Sequence, residues 1–144
     1  MTTEQWHKFT DICYGAGLKA TSQRFEIYSE LSARHDHPSA VDIHRTLCGR
    51  IPPLTLDTVY RTLNTLEAIG AVRRVEVFDD KARFDGNLAP HHHFVCNRCK
   101  AIVDLEWESL DRLELPEGIQ EVGQVQSRNM TLRGLCRECS GAVD

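Results

Sequence analysis

Apolar residues recur at helical spacing in three segments of the first half of the chain. The predicted helices are Ser22–Arg34, Ala40–Leu47 and Leu56–Ile69. Thr21 and Thr55 stand at N-cap positions, Ser39 and Asp42 form a pair like a capping box, and Gly70 follows the last helix as a stop signal. Each predicted helix therefore has a start signal of its own besides its apolar face.

The residues after the third helix predict two short strands. These are Val72–Phe78 and Lys81–Asp85, with Asp79-Asp80 in the turn between them. Three helices followed by a hairpin are the outline of a winged helix-turn-helix. The breaker-rich stretch Gly86–Pro90 indicates a hinge. We expect a winged-helix domain over residues 1–85, a hinge over 86–90 and a second domain over 91–144.

The second half of the chain has a different pattern, in which short predicted strands predominate over helices. His91–Cys96 and Ala101–Leu105 are predicted strands, joined by a Cys-x-x-Cys turn. Trp107–Leu113 is a predicted short helix, and Glu121–Arg133 is predicted to form one or two strands. The fold class expected from the whole pattern is α+β.

Composition narrows the function only slightly. The formal net charge is −4, so any DNA binding has to come from a local patch rather than from overall charge. The polar N-terminus lacks the apolar region of a secretory signal, and no apolar run approaches the roughly 20 residues that span a bilayer. We therefore expect a soluble, cytoplasmic protein with no membrane partner, in which cysteines are metal ligands rather than disulfides.

Four of the six cysteines form two Cys-x-x-Cys pairs. Each pair places two thiolates on one side of a tight loop, and two pairs complete a closed tetrahedral site for structural zinc. The predicted ligands of this zinc are Cys96, Cys99, Cys136 and Cys139. A thioredoxin-like redox pair is the alternative, but it needs a βαβ setting that this half lacks. Cys13 and Cys48 have no paired partner and are expected to be small core residues.

A histidine triplet at the start of a predicted strand offers a second metal site. His91 and His93 point to one face of the strand and His92 to the other, because side chains alternate. Asp104, on the neighbouring predicted strand, adds a carboxylate. Imidazoles with carboxylates suit Fe²⁺ or Mn²⁺ better than four thiolates do, although zinc also binds such a set.

Six motifs, spread over nearly the whole chain, resemble the ferric uptake regulator (Fur) superfamily in their order. They are Gly17-Leu18-Lys19-Ala20-Thr21-Ser22-Gln23-Arg24, His37-Pro38-Ser39-Ala40, Thr58-Val59-Tyr60-Arg61-Thr62-Leu63, His91 to Cys99, Ile102-Val103-Asp104, and Cys136-Arg137-Glu138-Cys139. The resemblance implies an N-terminal winged-helix DNA-binding domain and a C-terminal α/β dimerisation domain carrying the structural zinc. It also implies a homodimer on palindromic double-stranded DNA.

The resemblance further implies a regulatory Fe²⁺ or Mn²⁺ between the two domains. The family's ligands for that ion map onto His37, Asp85, His91, His93 and Asp104. One ion bridging two domains would tie their orientation, and so the spacing of two recognition helices in a dimer, to metal occupancy.

The helix predicted at Leu56–Ile69 is the expected recognition helix. Its exposed side is expected to carry the candidate DNA contacts Thr55, Thr58, Tyr60, Arg61 and Thr62. Candidate phosphate contacts are Lys19, Arg24, Arg73 and Arg83.

The chain could belong to any of three branches of the family, which sense peroxide, iron or zinc. Asp104 is typical of the peroxide-sensing PerR branch, whereas iron sensors usually carry Glu there. Pro90 and Arg128 stand where two ligands of the iron sensors' further metal site would be expected, which favours the same branch. Arg61 departs from that branch and looks more like the iron sensors. Peroxide sensing is therefore the first interpretation, and iron (Fur) or zinc (Zur) responsiveness is the alternative.

The peroxide branch implies a specific chemistry. Iron-catalysed oxidation of His37 or His91 by hydrogen peroxide would remove a metal ligand, and the protein would then leave its DNA. With Mn²⁺, the same site would repress without reacting.

Two other classes of function are less well supported. A zinc deaminase needs a His-x-Glu motif, which the chain lacks, and it also lacks a Gly-rich phosphate loop and a nucleophile elbow, so no enzymatic activity is expected. A zinc-ribbon metal carrier or interaction module would explain the second half of the chain alone. The capped helix with Tyr60 and Arg61, followed by a hairpin, argues against it.

Overall fold

The computed structural model describes residues 2–75 and 82–141. The chain divides into two compact units, Met1–Leu88 and Ala89–Asp144, and each is considered separately below. The mixture of helices and strands confirms the α+β class. None of the helices in the described part of the chain is both long enough and apolar enough to cross a membrane.

Four helices form most of the first unit. They are α1 (Thr3–Gly15), α2 (Ser22–Ala33), α3 (Ala40–Leu47) and α4 (Leu56–Ala68). The three predicted helices are confirmed together with their N-caps: Thr21 Oγ1 accepts from Arg24 N at 3.1 Å, and Thr55 Oγ1 accepts from Thr58 N at 3.1 Å. Ser39 and Asp42 form the expected capping box at the start of α3. Gly70 follows α4 with a positive φ of 80°, the conformation with which glycine commonly terminates a helix.

Helix α1 was not predicted, because the sequence of this segment shows only a polar N-terminus. It begins with a capping box between Thr2 and Gln5, and it buries Phe9 and Cys13, four residues apart on one face. Two buried positions in thirteen residues are too few to give a clear helical period of apolar residues. The Thr-x-x-Gln pair, which is typical of a capping box, was the feature of the sequence that indicated a helix start.

Among the described residues of the first unit, fifteen buried ones form the core, contributed by all four helices, by Leu54 in the loop before α4 and by the segments that follow α4. Trp6, Phe9 and Phe25 pack edge-on or tilted, with the Trp6 and Phe25 ring centroids 5.2 Å apart. Val59, Leu63 and Leu66 form the buried stripe of α4, as predicted.

A two-stranded antiparallel sheet completes the first unit. Strand β1 (Arg73–Val75) pairs with β2 (Arg83–Asp85), with Arg73 opposite Asp85. The predicted turn at Asp79-Asp80 and the strand ends beside it lie outside the described residues. Four helices followed by this pair of strands give a winged helix with one helix more than the three predicted.

A three-stranded sheet dominates the second unit. Strand β3 (His92–Cys96) lies in the centre, antiparallel to β4 (Ile102–Leu105) and parallel to β5 (Thr131–Gly134). Two short helices, α5 (Glu108–Asp111) and α6 (Ile119–Val122), lie in the connection between β4 and β5. The helix predicted near Trp107 is confirmed as α5.

The prediction of strand over Glu121–Arg133 was wrong for most of its length. Glu121 and Val122 belong to α6, and strand pairing begins only at Thr131. The segment belongs to the long crossover that a parallel pair requires, so only the residues that lie beside β3 form a strand.

The second unit buries little apolar surface within the single chain. Among its described residues, Val95, Cys96 and Ile102 are the buried hydrophobic ones. Nine large hydrophobic side chains are exposed: Val103, Trp107, Leu113, Leu115, Val122, Val125, Met130, Leu132 and Leu135. A unit that buries so few apolar side chains needs another source of stability.

Candidate metal centres and nucleic-acid interface

Four cysteine sulfurs meet at one end of the second unit. Cys96 ends β3, Cys99 follows in the turn to β4, and Cys136 and Cys139 lie in the turn after β5. Their sulfurs all lie within 4.8 Å of one another, and the Cys99 and Cys136 sulfurs are 3.8 Å apart. A tetrahedral ion about 2.3 Å from each sulfur holds them about 3.8 Å apart. The cluster therefore fits a structural zinc site, as predicted.

Backbone hydrogen bonds prepare these sulfurs for a cation. The N–H groups of Cys136 and Cys99 donate to Cys96 Sγ at 3.3 and 3.4 Å, and they lower the pKa of that thiol to about 6. Hydrogen bonding to the Cys136 sulfur raises the pKa of Cys139 to about 12, because neighbouring thiols share protons. A divalent cation would displace those protons and turn a crowded, proton-sharing cluster into four ligands.

The two remaining cysteines lie apart from this cluster. Cys13 is fully buried in the core of the first unit, as predicted. Cys48 is only half-buried, so its core assignment was wrong. It caps the C-terminus of α3, where its thiol donates to Arg45 O at 3.6 Å, and a helix end exposes part of the side chain.

Two histidines and a carboxylate converge on one face of the sheet in the second unit. The His91 and His93 rings meet edge-on with centroids 4.6 Å apart, and Asp104 Oδ1 lies 3.5 Å from His91 Nε2 and 3.4 Å from His93 Nε2. Strand register explains the meeting, because His93 pairs directly with Asp104 across β3 and β4. The alternation predicted for the triplet is confirmed.

The hydrogen bonding of His91 shows what this group can bind. Its Nδ1 donates to Ala89 O at 2.7 Å, because a carbonyl oxygen only accepts, and this leaves Nε2 as the ring nitrogen that faces Asp104. An imidazole nitrogen and a carboxylate oxygen placed in this way can be ligands of one metal ion. A metal-ligating imidazole normally donates its other nitrogen to a backbone carbonyl, which is the arrangement here.

His37 and Asp85 form a second pair, in the first unit. Asp85 Oδ2 lies 3.3 Å from His37 Nε2, and Asp85 Oδ1 accepts from Asn87 N at 2.8 Å. Both side chains are buried, at 2% and 6% exposure. Only the family resemblance pointed to them, because a His-Pro loop and a strand end carry no local signal of metal binding.

His92 has a structural role that its place in the sequence does not indicate. Its fully buried ring accepts from Met130 N at 2.9 Å through Nδ1 and donates to Asp111 Oδ1 at 2.8 Å through Nε2. The ring thus joins β3 to helix α5 and to the residue that precedes β5. It holds the backbone between His91 and His93 in place.

The candidate recognition helix α4 presents most of the expected side chains. Thr55 and Arg61 are exposed, Tyr60 is 42% exposed, and Thr58 is half-buried with its hydroxyl 2.9 Å from that of Thr55. The Arg61 side chain is 80% exposed and pairs with the similarly exposed Asp57, so a nucleic acid can compete for it at little cost.

The prediction that Thr62 is exposed was wrong, since it is buried at 7% exposure. It stands three residues after Val59 and four before Leu66, so it lies on the buried face of α4. A DNA contact through this side chain is therefore not available.

The candidate phosphate contacts differ in their surroundings. Lys19 is exposed, while Arg24 donates from Nη1 to Lys19 O at 2.6 Å. Arg73 donates from Nη2 to Leu88 O at 3.0 Å. Arg83 is half-buried, and its guanidinium donates to the backbone of the loop that carries His37, which no sequence signal indicated.

Comparison with known proteins gives a consistent result. The model of the ferric uptake regulator family matches residues 15–133. The peroxide-responsive repressor PerR of Staphylococcus epidermidis is 34% identical over 125 residues, which cover 86% of this chain and 83% of that protein. Among solved structures, the fold resembles Fur of Helicobacter pylori, a protein with three functional metal binding sites, with a TM-score of 0.78 at 22% identity over 100% of this chain and 97% of that one. Fur of Pseudomonas aeruginosa with manganese gives a TM-score of 0.74 at 27% identity, over 87% and 95% of the two chains.

Proposed function

Because the chain belongs to the ferric uptake regulator family, we propose that it is a cytoplasmic, metal-dependent repressor that binds a palindromic DNA operator as a homodimer. The observation that carries the proposal is the convergence of His91, His93 and Asp104, three potential ligands, around one point of the second unit. A structural zinc at the four cysteines leaves this second donor set for a regulatory ion.

The regulatory ion is Fe²⁺ or Mn²⁺ in this proposal, and it takes ligands from both units. His91, His93 and Asp104 would bind it from the second unit, and His37 and Asp85 from the first. Nitrogen and carboxylate ligands suit these metals. A ligand set drawn from two units makes metal affinity and the relative placement of the units depend on each other. A coupling of about 1–3 kcal/mol changes DNA affinity about 5–150-fold.

Peroxide is the proposed signal. Asp104 is the ligand type of the peroxide branch, and the peroxide-responsive repressor of Staphylococcus epidermidis is a relative at 34% identity. Ferrous iron, when bound, would activate hydrogen peroxide for the transfer of one oxygen atom. That oxygen atom would insert into a ring C–H bond of His37 or His91, and the other would leave as water. The oxidised ring would be a poorer ligand, so the metal and then the DNA would be released.

The DNA interface proposed for this repressor is the exposed side of α4. Arg61 would bind a guanine edge or a phosphate, and Tyr60 would contact a thymine methyl. Paired α4 helices in a dimer need half-sites about 34 Å apart, or a multiple of that distance. The exposed apolar side chains of the second unit are the surface proposed to form the dimer, because they would be buried against a second copy.

Fluorescence anisotropy with operator DNA selected from a random pool tests the proposal. The protein is measured with its structural zinc in place and with no added metal, Mn²⁺, Fe²⁺, Zn²⁺, or Fe²⁺ followed by hydrogen peroxide. We expect binding with Mn²⁺ or Fe²⁺ and release after peroxide. His91→Ala should abolish the metal effect, and His7→Ala, on the exposed side of α1, should not change it. Equal binding without the regulatory metal would refute the proposal.

Mass spectrometry of the peroxide-treated iron form separates the three branches. The peroxide branch requires one added oxygen on the peptide that contains His37 or His91. An unmodified protein that still responds to iron, or one that responds only to zinc, would move the chain to the corresponding alternative. A protein that binds metal but no DNA would be a metal carrier or an interaction module.

A further inference from the structure

Arg83, on strand β2, is bonded to the backbone of the loop that carries His37. Its Nε donates to the carbonyl of His37, and its Nη2 donates to the carbonyl of Asp36 at 2.8 Å. A planar guanidinium bonds two neighbouring acceptors in a fixed geometry, which a single ammonium does not. The side chain therefore constrains two consecutive peptide groups of this loop.

The loop needs such a constraint. His37 has a φ of 53°, in the left-handed region that residues other than glycine adopt only when their surroundings require it. Strand β2 also holds the next residues, since Phe84 N donates to Pro38 O at 3.0 Å and Arg83 forms an antiparallel bridge with Ser39. The loop is thus attached along the edge of β2.

The same strand provides Asp85, two residues after Arg83. Side chains two residues apart in a strand point to the same face, so Arg83 and Asp85 share one face of β2. Asp85 Oδ2 is 3.3 Å from His37 Nε2. One short strand therefore supplies one candidate ligand and fixes the backbone of the other.

We propose that Arg83 is a positioning residue for the regulatory metal, because it holds His37 at the distance from Asp85 that a shared ion requires. This inference rests on the proposed function, in which both residues are ligands. It replaces the earlier expectation that Arg83 contacts phosphate. Residues that orient ligands typically change metal affinity 10–100-fold when they are removed.

Manganese binding to the zinc-loaded, full-length protein tests this role, with free Mn²⁺ measured by electron paramagnetic resonance. For Arg83→Ala, we expect the dissociation constant to rise about 10–100-fold. Arg83→Lys keeps the positive charge but cannot donate to both carbonyls in the same geometry, so it should also weaken manganese binding. If Arg83→Ala does not fold, the test is made with Arg83→Lys. Arg45→Ala, which removes an exposed arginine of the same unit, is the matched control and should bind like the wild type.

Two further measurements distinguish positioning from a phosphate contact. In the metal-free protein, the amide of Phe84 should exchange its hydrogen faster in Arg83→Ala, because the loop it bonds to is released. At saturating Mn²⁺, the variant should bind DNA like the wild type, with an unchanged salt dependence. A loss of DNA affinity with a salt slope reduced by about 1, and normal manganese binding, would show a phosphate contact and overturn the inference.

The variant His37→Ala separates failure of this inference from failure of the proposed function. If His37→Ala weakens manganese binding and Arg83→Ala does not, the positioning role is wrong and the metal site stands. If neither variant weakens binding, His37 is not a ligand, and both this inference and the proposed ligand set drawn from the two units fail.

Discussion

Removal of zinc from the four-cysteine site is expected to unfold the second unit and to leave the first unit intact. In the described part of the first unit, fifteen buried residues form the core. Among the described residues of the second unit, three hydrophobic ones are buried. Such side chains contribute roughly 1.5–3 kcal/mol each. A structural zinc contributes about 10–16 kcal/mol, which matches or exceeds the total stability of about 5–15 kcal/mol of an ordinary domain.

The chain contains two tryptophans, one in each unit, and they report the two units separately. Trp6 packs against Phe25 in the first unit, and Trp107 lies 6.3 Å from the His92 ring in the second. The variants Trp6→Phe and Trp107→Phe each keep one reporter. After a high-affinity chelator has removed zinc, Trp107 emission should shift to the red, while Trp6 emission and most of the helical circular dichroism should remain.

Two cysteine variants complete this experiment. Cys136→Ser should bind no zinc and should show the unfolded Trp107 signal without a chelator. Cys48→Ser, which lies outside the site, should keep both its zinc and the native signal. If elemental analysis shows that the protein is zinc-free and Trp107 emission is unchanged, the second unit is held by something other than the metal and the reasoning is refuted.

Three further changes have expected effects on the zinc-loaded protein in urea or thermal unfolding. Leu63→Ala opens a cavity in the core of the first unit and should lower the free energy of unfolding by about 2–5 kcal/mol. Leu63→Met nearly keeps the side-chain volume and should lower it by less than about 1.5 kcal/mol. Thr55→Ala removes the N-cap of α4 and should cost about 1 kcal/mol in the absence of DNA, while Thr55→Ser should be close to neutral. His92→Phe leaves the Met130 N–H without its acceptor and should cost about 1–3 kcal/mol, and His92→Asn, which keeps an acceptor near that N–H, should cost less. Equal losses for the two His92 variants would contradict this role of the ring.

The sequence by itself determined the features that depend on neighbouring residues. Thr21 and Thr55 begin their helices because their hydroxyls bond backbone N–H groups three residues on, which requires no tertiary contact. The two Cys-x-x-Cys turns likewise place their sulfurs locally, and strand alternation was enough to put His91 and His93 on one face. The α+β class follows from these local signals, and so does each half of the four-cysteine site; a shared tetrahedral zinc then requires the two halves to meet.

Only the tertiary structure decided the features that depend on contacts between distant segments of the chain. The burial of Thr62 depends on how wide a face of α4 the other helices cover. The bond from Arg83 to the carbonyl of His37 joins residues 46 positions apart, and β5 forms a strand only where β3 lies beside it. Local hydrogen bonds and periodicity are specified within a few residues, whereas these contacts exist only after the chain has closed long loops. Their partners therefore cannot be identified from the sequence nearby.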